Sequence, residues 1–145
     1  MTDPADNRPS LMPILTALAV IVLALFAMVA LRTIRGDEQP AEGQIGIAAV
    51  GQNDALQREN YADFRTFTCA AEQGTEAGVL ADQRQSTTAR GARFVDDVTA
   101  IVINGERATA TAVYHFERSP DDKITTAATF VRENGEWKVC SPGPR

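Results

Sequence analysis

Residues that carry chemistry are scarce in this chain of 145. It has one histidine, His115, and two cysteines, Cys69 and Cys140. A zinc centre needs several such ligands close together, so no metal site is expected. There is no Gly-x-Ser-x-Gly, no Ser-x-x-Lys and no glycine-rich phosphate loop. Their absence removes the usual nucleophile elbows and nucleotide cradles, and no cofactor is expected. Lysine is nearly missing: twelve of the fourteen basic residues are Arg. From Gly36 onward seventeen Asp and Glu face eleven Lys and Arg, without a basic stripe. Nucleic-acid binding needs clustered cations to neutralise phosphates, so that class of partner is excluded.

What the chain does have is a run from Leu11 to Leu31 without one charge. As a helix it would be roughly 31 Å long, enough to cross bilayer hydrocarbon. Residues 11–34 are therefore read as a transmembrane helix and the chain's link to a membrane. The run is longer than a cleaved signal's apolar core and lacks a clean Ala-x-Ala site, which favours an uncleaved anchor. Residues 1–10 read as a disordered tail, 35–43 as a polar linker, 44–141 as one folded domain and 142–145 as a short tail. Arg32 and Arg35 after the run, against Arg8 before it, would by the positive-inside rule keep the domain in the cytoplasm. The cysteine pair points the other way, to an oxidising compartment. The expected location is the cell membrane, single-pass, with the C-terminal domain extracytoplasmic.

Within the domain, the pattern first has a helical period. Gln44–Glu59 places Ile45, Ala48, Ala49, Gln52 and Leu56 on one face, with Gly46 and Gly51 weakening it. Asn60 is positioned to cap a second helix over Tyr61–Ala71, and a third, polar one is expected over Glu76–Arg90. After Gly91 the period becomes 2, giving strands over Phe94–Ile103, Arg107–Glu117, Ile124–Glu133 and Trp137–Ser141. Asn104-Gly105 and Asn134-Gly135 are type I′ hairpin signals, and Ser119-Pro120-Asp121-Asp122 is expected to turn the middle pair. One face of the meander carries Ala108, Ala110, Ala112, Tyr114 and Phe116 opposite Ile101 and Ile103. It continues through Ile124, Ala128, Phe130, Trp137 and Val139. Helices first, then an antiparallel sheet with one face against them, define an α+β class.

The two cysteines fall one per layer, which suggests a disulfide stapling Cys69 to Cys140; two unpaired thiols in a cytoplasmic domain is the alternative. Strict alternation points Cys140 away from Trp137 and Val139, so a bulge or the strand's end must re-aim it. His115 lies on the face opposite the alanines and reads as a solvated or hydrogen-bonded strand residue.

Helices followed by a meander ending in Val131-Arg132-Glu133-Asn134-Gly135-Glu136-Trp137-Lys138-Val139-Cys140 resemble the nuclear-transport-factor-like, or cystatin-like, cone fold. The chain is similar in particular to small actinobacterial single-pass proteins with such a domain outside the membrane, including Mce-associated and lumazine-binding-like proteins. Asn60 to Cys69 matches the helix that often carries the first cysteine there. The resemblance implies a cone whose cavity would be lined by Tyr61, Phe64, Tyr114, Phe130 and Trp137. Enzymes of this fold place a carboxylate and a tyrosine inside the cone, for which Tyr61, Asp63, Asp96, Asp97 and Tyr114 are the candidates. The expectation is a non-enzymatic, membrane-anchored envelope protein presenting its domain to an envelope partner or lipid-like ligand. A small-molecule binder or enzyme using the cone cavity is the alternative.

Overall fold

A computed structural model describes residues 20–27 and 39–144. The chain divides into two compact units, Met1–Glu38 and Gln39–Arg145. In the first, residues 20–27 are helical, with Val20, Leu23 and Phe26 exposed. Among the described residues no helix is long and apolar enough to cross a membrane. The rest of the expected span at 11–34, the tail at 1–10, residues 35–38 of the expected linker and Arg145 lie outside the described residues.

The second unit begins with α1 (Ala41–Gln57), which buries Ile45, Ala48, Ala49 and Gln52, the face set by its 3.6-residue period. It starts three residues earlier than expected. Pro40 has no N–H to satisfy at a helix start, and its carbonyl accepts the Gln44 N–H at 3.1 Å. Glu59 at φ 52° ends the helical path. The Asn60 side chain then accepts the Asp63 N–H at 3.1 Å and caps α2 (Tyr61–Phe67).

That second helix is four residues shorter than its apolar pattern predicts. Thr68 turns extended (φ −116°, ψ 132°) and forms a parallel bridge with Val139. A tertiary hydrogen bond, Cys69 N–H to Val139 carbonyl at 2.9 Å, overrides local helix propensity. A 3₁₀ turn over Ala70–Glu72 leads on to α3 (Glu76–Arg90), whose bounds match expectation and whose one buried residue is Gln83.

The sheet is a four-stranded antiparallel meander, β1 (Arg93–Asn104), β2 (Arg107–Phe116), β3 (Ser119–Glu133) and β4 (Glu136–Val139), in that spatial order. Its inner face is the expected one: Ala108, Ala110, Ala112, Tyr114, Phe116, Ala128, Phe130, Trp137 and Val139 are all buried. Ile45 and Phe130 are at most 1 % exposed, and burial of such side chains is worth about 1.5–3 kcal/mol each. The alanines keep this face shallow enough for Ala48 and Ala49 of α1 to join the same cluster.

Two turns differ from the sequence reading. Asn134-Gly135 has positive φ at both residues (53° and 86°), as a type I′ turn demands. At the first hairpin Asn104 pairs with Arg107, so the turn residues are Gly105-Glu106 and only Gly105 has positive φ. The middle hairpin turns at Glu117-Arg118, not at Ser119–Asp122, because Phe116 pairs with Ser119. Tertiary bonds fix it there: Glu117 N–H reaches the Ala92 carbonyl at 2.8 Å, and Arg118 Nη1 reaches the Thr88 carbonyl at 2.7 Å. Pro120 is accommodated within β3 where pairing with β2 is interrupted, between Ile124 and Ser119.

Strand β1 also breaks its alternation. Register shifts fall between Val95 and Asp97 and between Thr99 and Val102, with Ala100 at φ 50°. Its core-packed residues, Val95, Val98 and Ile101, are consequently three apart instead of two. Ile103, expected inside, is 37 % exposed at the hairpin end.

Candidate functional site

Strand β4 stops at Val139, one residue before the second cysteine, and the strand's end re-aims it. Cys140 donates its N–H to the Thr129 carbonyl at 2.7 Å and its sulfur bonds Cys69, with the two Cα atoms 5.2 Å apart. The bridge staples the segment after α2 to the sheet. Thr68 beside it is fully buried and accepts from Gln52 Nε2 at 3.0 Å.

A cleft of about 110 Å³ lies among α1, α2, α3, the start of β1 and the chain after Cys140. Leu56, Phe64 and Val79 supply its apolar wall; Glu72, Asp82 and Gln83 supply polar groups. Arg93 is also in the lining. It pairs with Phe116 and so shares that residue's inward parity, which leaves the arginine as a whole only 7 % exposed. Its Nε donates to Asn53 Oδ1 at 2.8 Å, while Asn53 Nδ2 donates back to the Arg93 carbonyl at 2.9 Å. Its Nη1 donates to the Pro144 carbonyl. The cation also stands 5.5 Å from the centre of the Tyr114 ring.

Each acceptor in this arrangement is neutral. Burial pulls the Arg93 guanidinium below its ordinary range, although Tyr114 opposes this. Burial likewise pushes the Tyr114 hydroxyl up, with Arg93 pulling it back. An arginine in such a setting stays charged, so the group can hold a ligand by charge but does not trade protons with it.

The five residues expected around one cavity are distributed over several places. Phe64 lines the cleft, and Tyr114 lies under Arg93. Phe130 is inside the core. Trp137 is 6 % exposed and borders a separate groove of about 320 Å³ with Ile47 and Phe67. Tyr61 stacks on Phe64 at 6.0 Å and donates its hydroxyl to the Gly74 carbonyl at 2.8 Å. The carboxylates considered for catalysis lie elsewhere. Asp63 accepts from Asn60 Nδ2 at 2.8 Å, and Asp97 accepts from the Val98 N–H at 2.8 Å.

Asp96 is the extra residue of the first bulge in β1. It meets His115 Nδ1 at 2.7 Å and Lys123 Nζ at 2.9 Å, with Phe94 stacked on the imidazole at 4.8 Å. Lys123 above all holds the Asp96 carboxyl below its usual range; burial opposes this, and His115 adds to the lowering. His115 is thus the hydrogen-bonded strand residue its position suggests.

Sequence reasoning missed Arg93 and Asn53. One signal was available: Arg93 stands two residues before Val95, on the inward parity of the strand.

A two-layer domain with a stapled rim and, among the described residues, one buried, amide-clamped cation is the class of molecule defined so far. No family model matches the chain, and no curated protein matches it significantly. Solved structures similar to it include a Campylobacter jejuni protein named as a candidate NTF2-like transpeptidase. That match has 14 % identity, 65 % of this chain, 94 % of that one and a TM-score of 0.47. An NTF-2 like protein of unknown function from Shewanella oneidensis matches at 14 % identity, over 69 % of this chain and 94 % of that one, TM-score 0.44. A cystatin fold protein from Novosphingobium aromaticivorans matches at 7 % identity, over 64 % and 92 %, TM-score 0.41. At these scores nothing about activity or ligand passes from them to this chain.

Proposed function

We propose that this is a single-pass envelope protein, held by residues 11–34, whose extracytoplasmic domain binds an envelope partner or a lipid-like ligand without catalysing a reaction. The helices-then-meander order supports reading that domain as a nuclear-transport-factor-like cone. The observation that carries the proposal is the Cys69–Cys140 bridge, since structural disulfides persist in oxidising compartments and are rare in reducing ones. The uncharged run from Leu11 to Leu31 supports the anchor. Binding without chemistry is favoured by the character of the cleft, whose central group is a fixed cation and not a proton carrier. The cleft itself also favours the second reading, a small-molecule site.

Topology and thiol state test the proposal together. A reporter fused after Arg145 is expected to be active only outside the cytoplasmic membrane, and both cysteines in membrane-extracted protein are expected to resist alkylation until reduced. A cytoplasmic reporter with two freely alkylated thiols would overturn it.

A further inference from the structure

The chain beyond Cys140 lies over the cleft. Ser141, Pro142 and Gly143 are part of its lining, and the Pro144 carbonyl takes a hydrogen bond from Arg93. Ser141 is tied to the sheet through its hydroxyl, which accepts the Thr129 N–H at 3.1 Å. Among the described residues the hydrogen bond that ties Pro142–Pro144 is the one from Arg93, and neither proline has an N–H with which to join the sheet. At Gly143 an added Cβ would lie 3.0 Å from Nη1 and 3.6 Å from Nη2 of Arg93, so the backbone there rests directly on the guanidinium fork.

We propose that this cleft is a binding site for a monocarboxylate with an apolar stem, and that Pro142–Pro144 occupies the carboxylate's place until ligand arrives. The inference rests on the binding reading above. A peptide carbonyl offers Arg93 one neutral oxygen, whereas a carboxylate offers two charged ones that match the planar fork. Among the described residues the acceptors around this buried cation are neutral, and such a group gains most from an anion. Glu72 in the same lining repels a dianion such as a phosphate monoester more strongly than a monoanion. Leu56, Phe64 and Val79 provide the surface for an alkyl stem. Size agrees with a closed state: about 110 Å³ is below the roughly 300–1,000 Å³ of ordinary ligand pockets. Removing three residues from the rim opens the space.

The test uses the full chain in detergent with its disulfide intact, titrated calorimetrically with hexanoate, hexanol and hexyl phosphate. Hexanoate is expected to bind, hexanol not to bind detectably, and hexyl phosphate to bind at least about tenfold more weakly. A chain ending at Ser141 should bind hexanoate at least about tenfold more tightly, because no tail competes. Gly143→Ala, whose Cβ would crowd the guanidinium and push the tail off it, should tighten binding in the same direction, and Arg93→Gln in the shortened, folded chain should abolish it. In the full chain the Gly143 amide resonance should move on saturation. Equal affinity in full and shortened chains, hexanol binding as well as hexanoate, or an unmoved Gly143 amide would each overturn the proposal. Absent hexanoate binding with an outside reporter defeats this inference alone. Binding with a cytoplasmic reporter defeats only the location proposed above.

Discussion

Replacing both cysteines by alanine, Cys69→Ala with Cys140→Ala, removes the staple without leaving a lone thiol. The bridge spans 71 residues of sequence. By the chain entropy of loop closure, opening a loop of that length returns about 15 cal/mol/K to the unfolded chain, about 4 kcal/mol at room temperature. The folded state should change little, because Thr68 still bridges Val139 and the Cys69 N–H still reaches the Val139 carbonyl at 2.9 Å. The loss therefore falls on the unfolded side of the equilibrium. Against a whole-domain stability of about 5–15 kcal/mol it is a large fraction. With a urea dependence near about 2 kcal/mol/M, the unfolding midpoint should drop by about 2 M. Trp137 is the single tryptophan and is buried, so its fluorescence reports the transition directly. A drop of less than about 0.5 M with an unchanged slope would refute the reasoning, since closing so long a loop must cost the unfolded chain far more entropy than that.

The two α1 glycines should respond in opposite directions. A Cβ at Gly46 meets nothing within 4 Å, so Gly46→Ala should stabilise by about 0.5–1 kcal/mol. At Gly51 it would sit 2.6 Å from the Phe67 ring, so Gly51→Ala should destabilise by about 1–3 kcal/mol. Thermal melts that ranked the two the other way would sink the packing described between α1 and α2. Trp137→Ala should cost about 3–5 kcal/mol by chemical denaturation followed by circular dichroism, and a cost under about 1 kcal/mol would contradict its core position. Asp96 is held below its ordinary value of 3.8 chiefly by Lys123. Its stabilising contribution is therefore complete above that unfolded value and is lost as the pH falls through the lower folded one. Lys123→Ala should raise the Asp96 pKa in a carboxyl NMR titration, and an unmoved titration curve would show the pair to be without effect.

The features legible in the sequence were those fixed by period and by turn chemistry. Four strands, the alanine face of β2 and β3, the Asn60 cap, the bounds of α3 and the Asn134-Gly135 turn all follow from local pattern. What escaped depends on partners distant in the chain. Nothing local distinguishes Thr68 from the helical residues before it; Val139 does that. Arg118 makes a turn because it can reach the carbonyls of Thr88 and Ala89, about thirty residues back. The bulges in β1 cannot be counted from a two-residue period, and they convert the inward set to Val95, Val98 and Ile101. Arg93 was passed over because the expected strand began at Phe94; β1 in fact starts at Arg93, whose pairing with Phe116 gives it the inward parity it shares with Val95.

Helix α3 gives the cleft two unequal sides. Its one buried residue is a glutamine, and its ties to the rest of the domain include Arg84 to Glu59 at 2.6 Å, the Arg118 grip on its last turn and Arg90 over the Phe116 ring at 4.4 Å. Lifting it exposes little apolar surface, so its amides should exchange with solvent at a free energy well below that of global opening. Across from it, α1 packs into the sheet cluster and the segment after α2 is covalently bonded to the end of β4. One wall of the cleft is thus stiff and the other compliant. The stiff wall carries Arg93's amide clamp, so the polar end of an occupant is placed accurately while the yielding wall adjusts to the girth of whatever follows it.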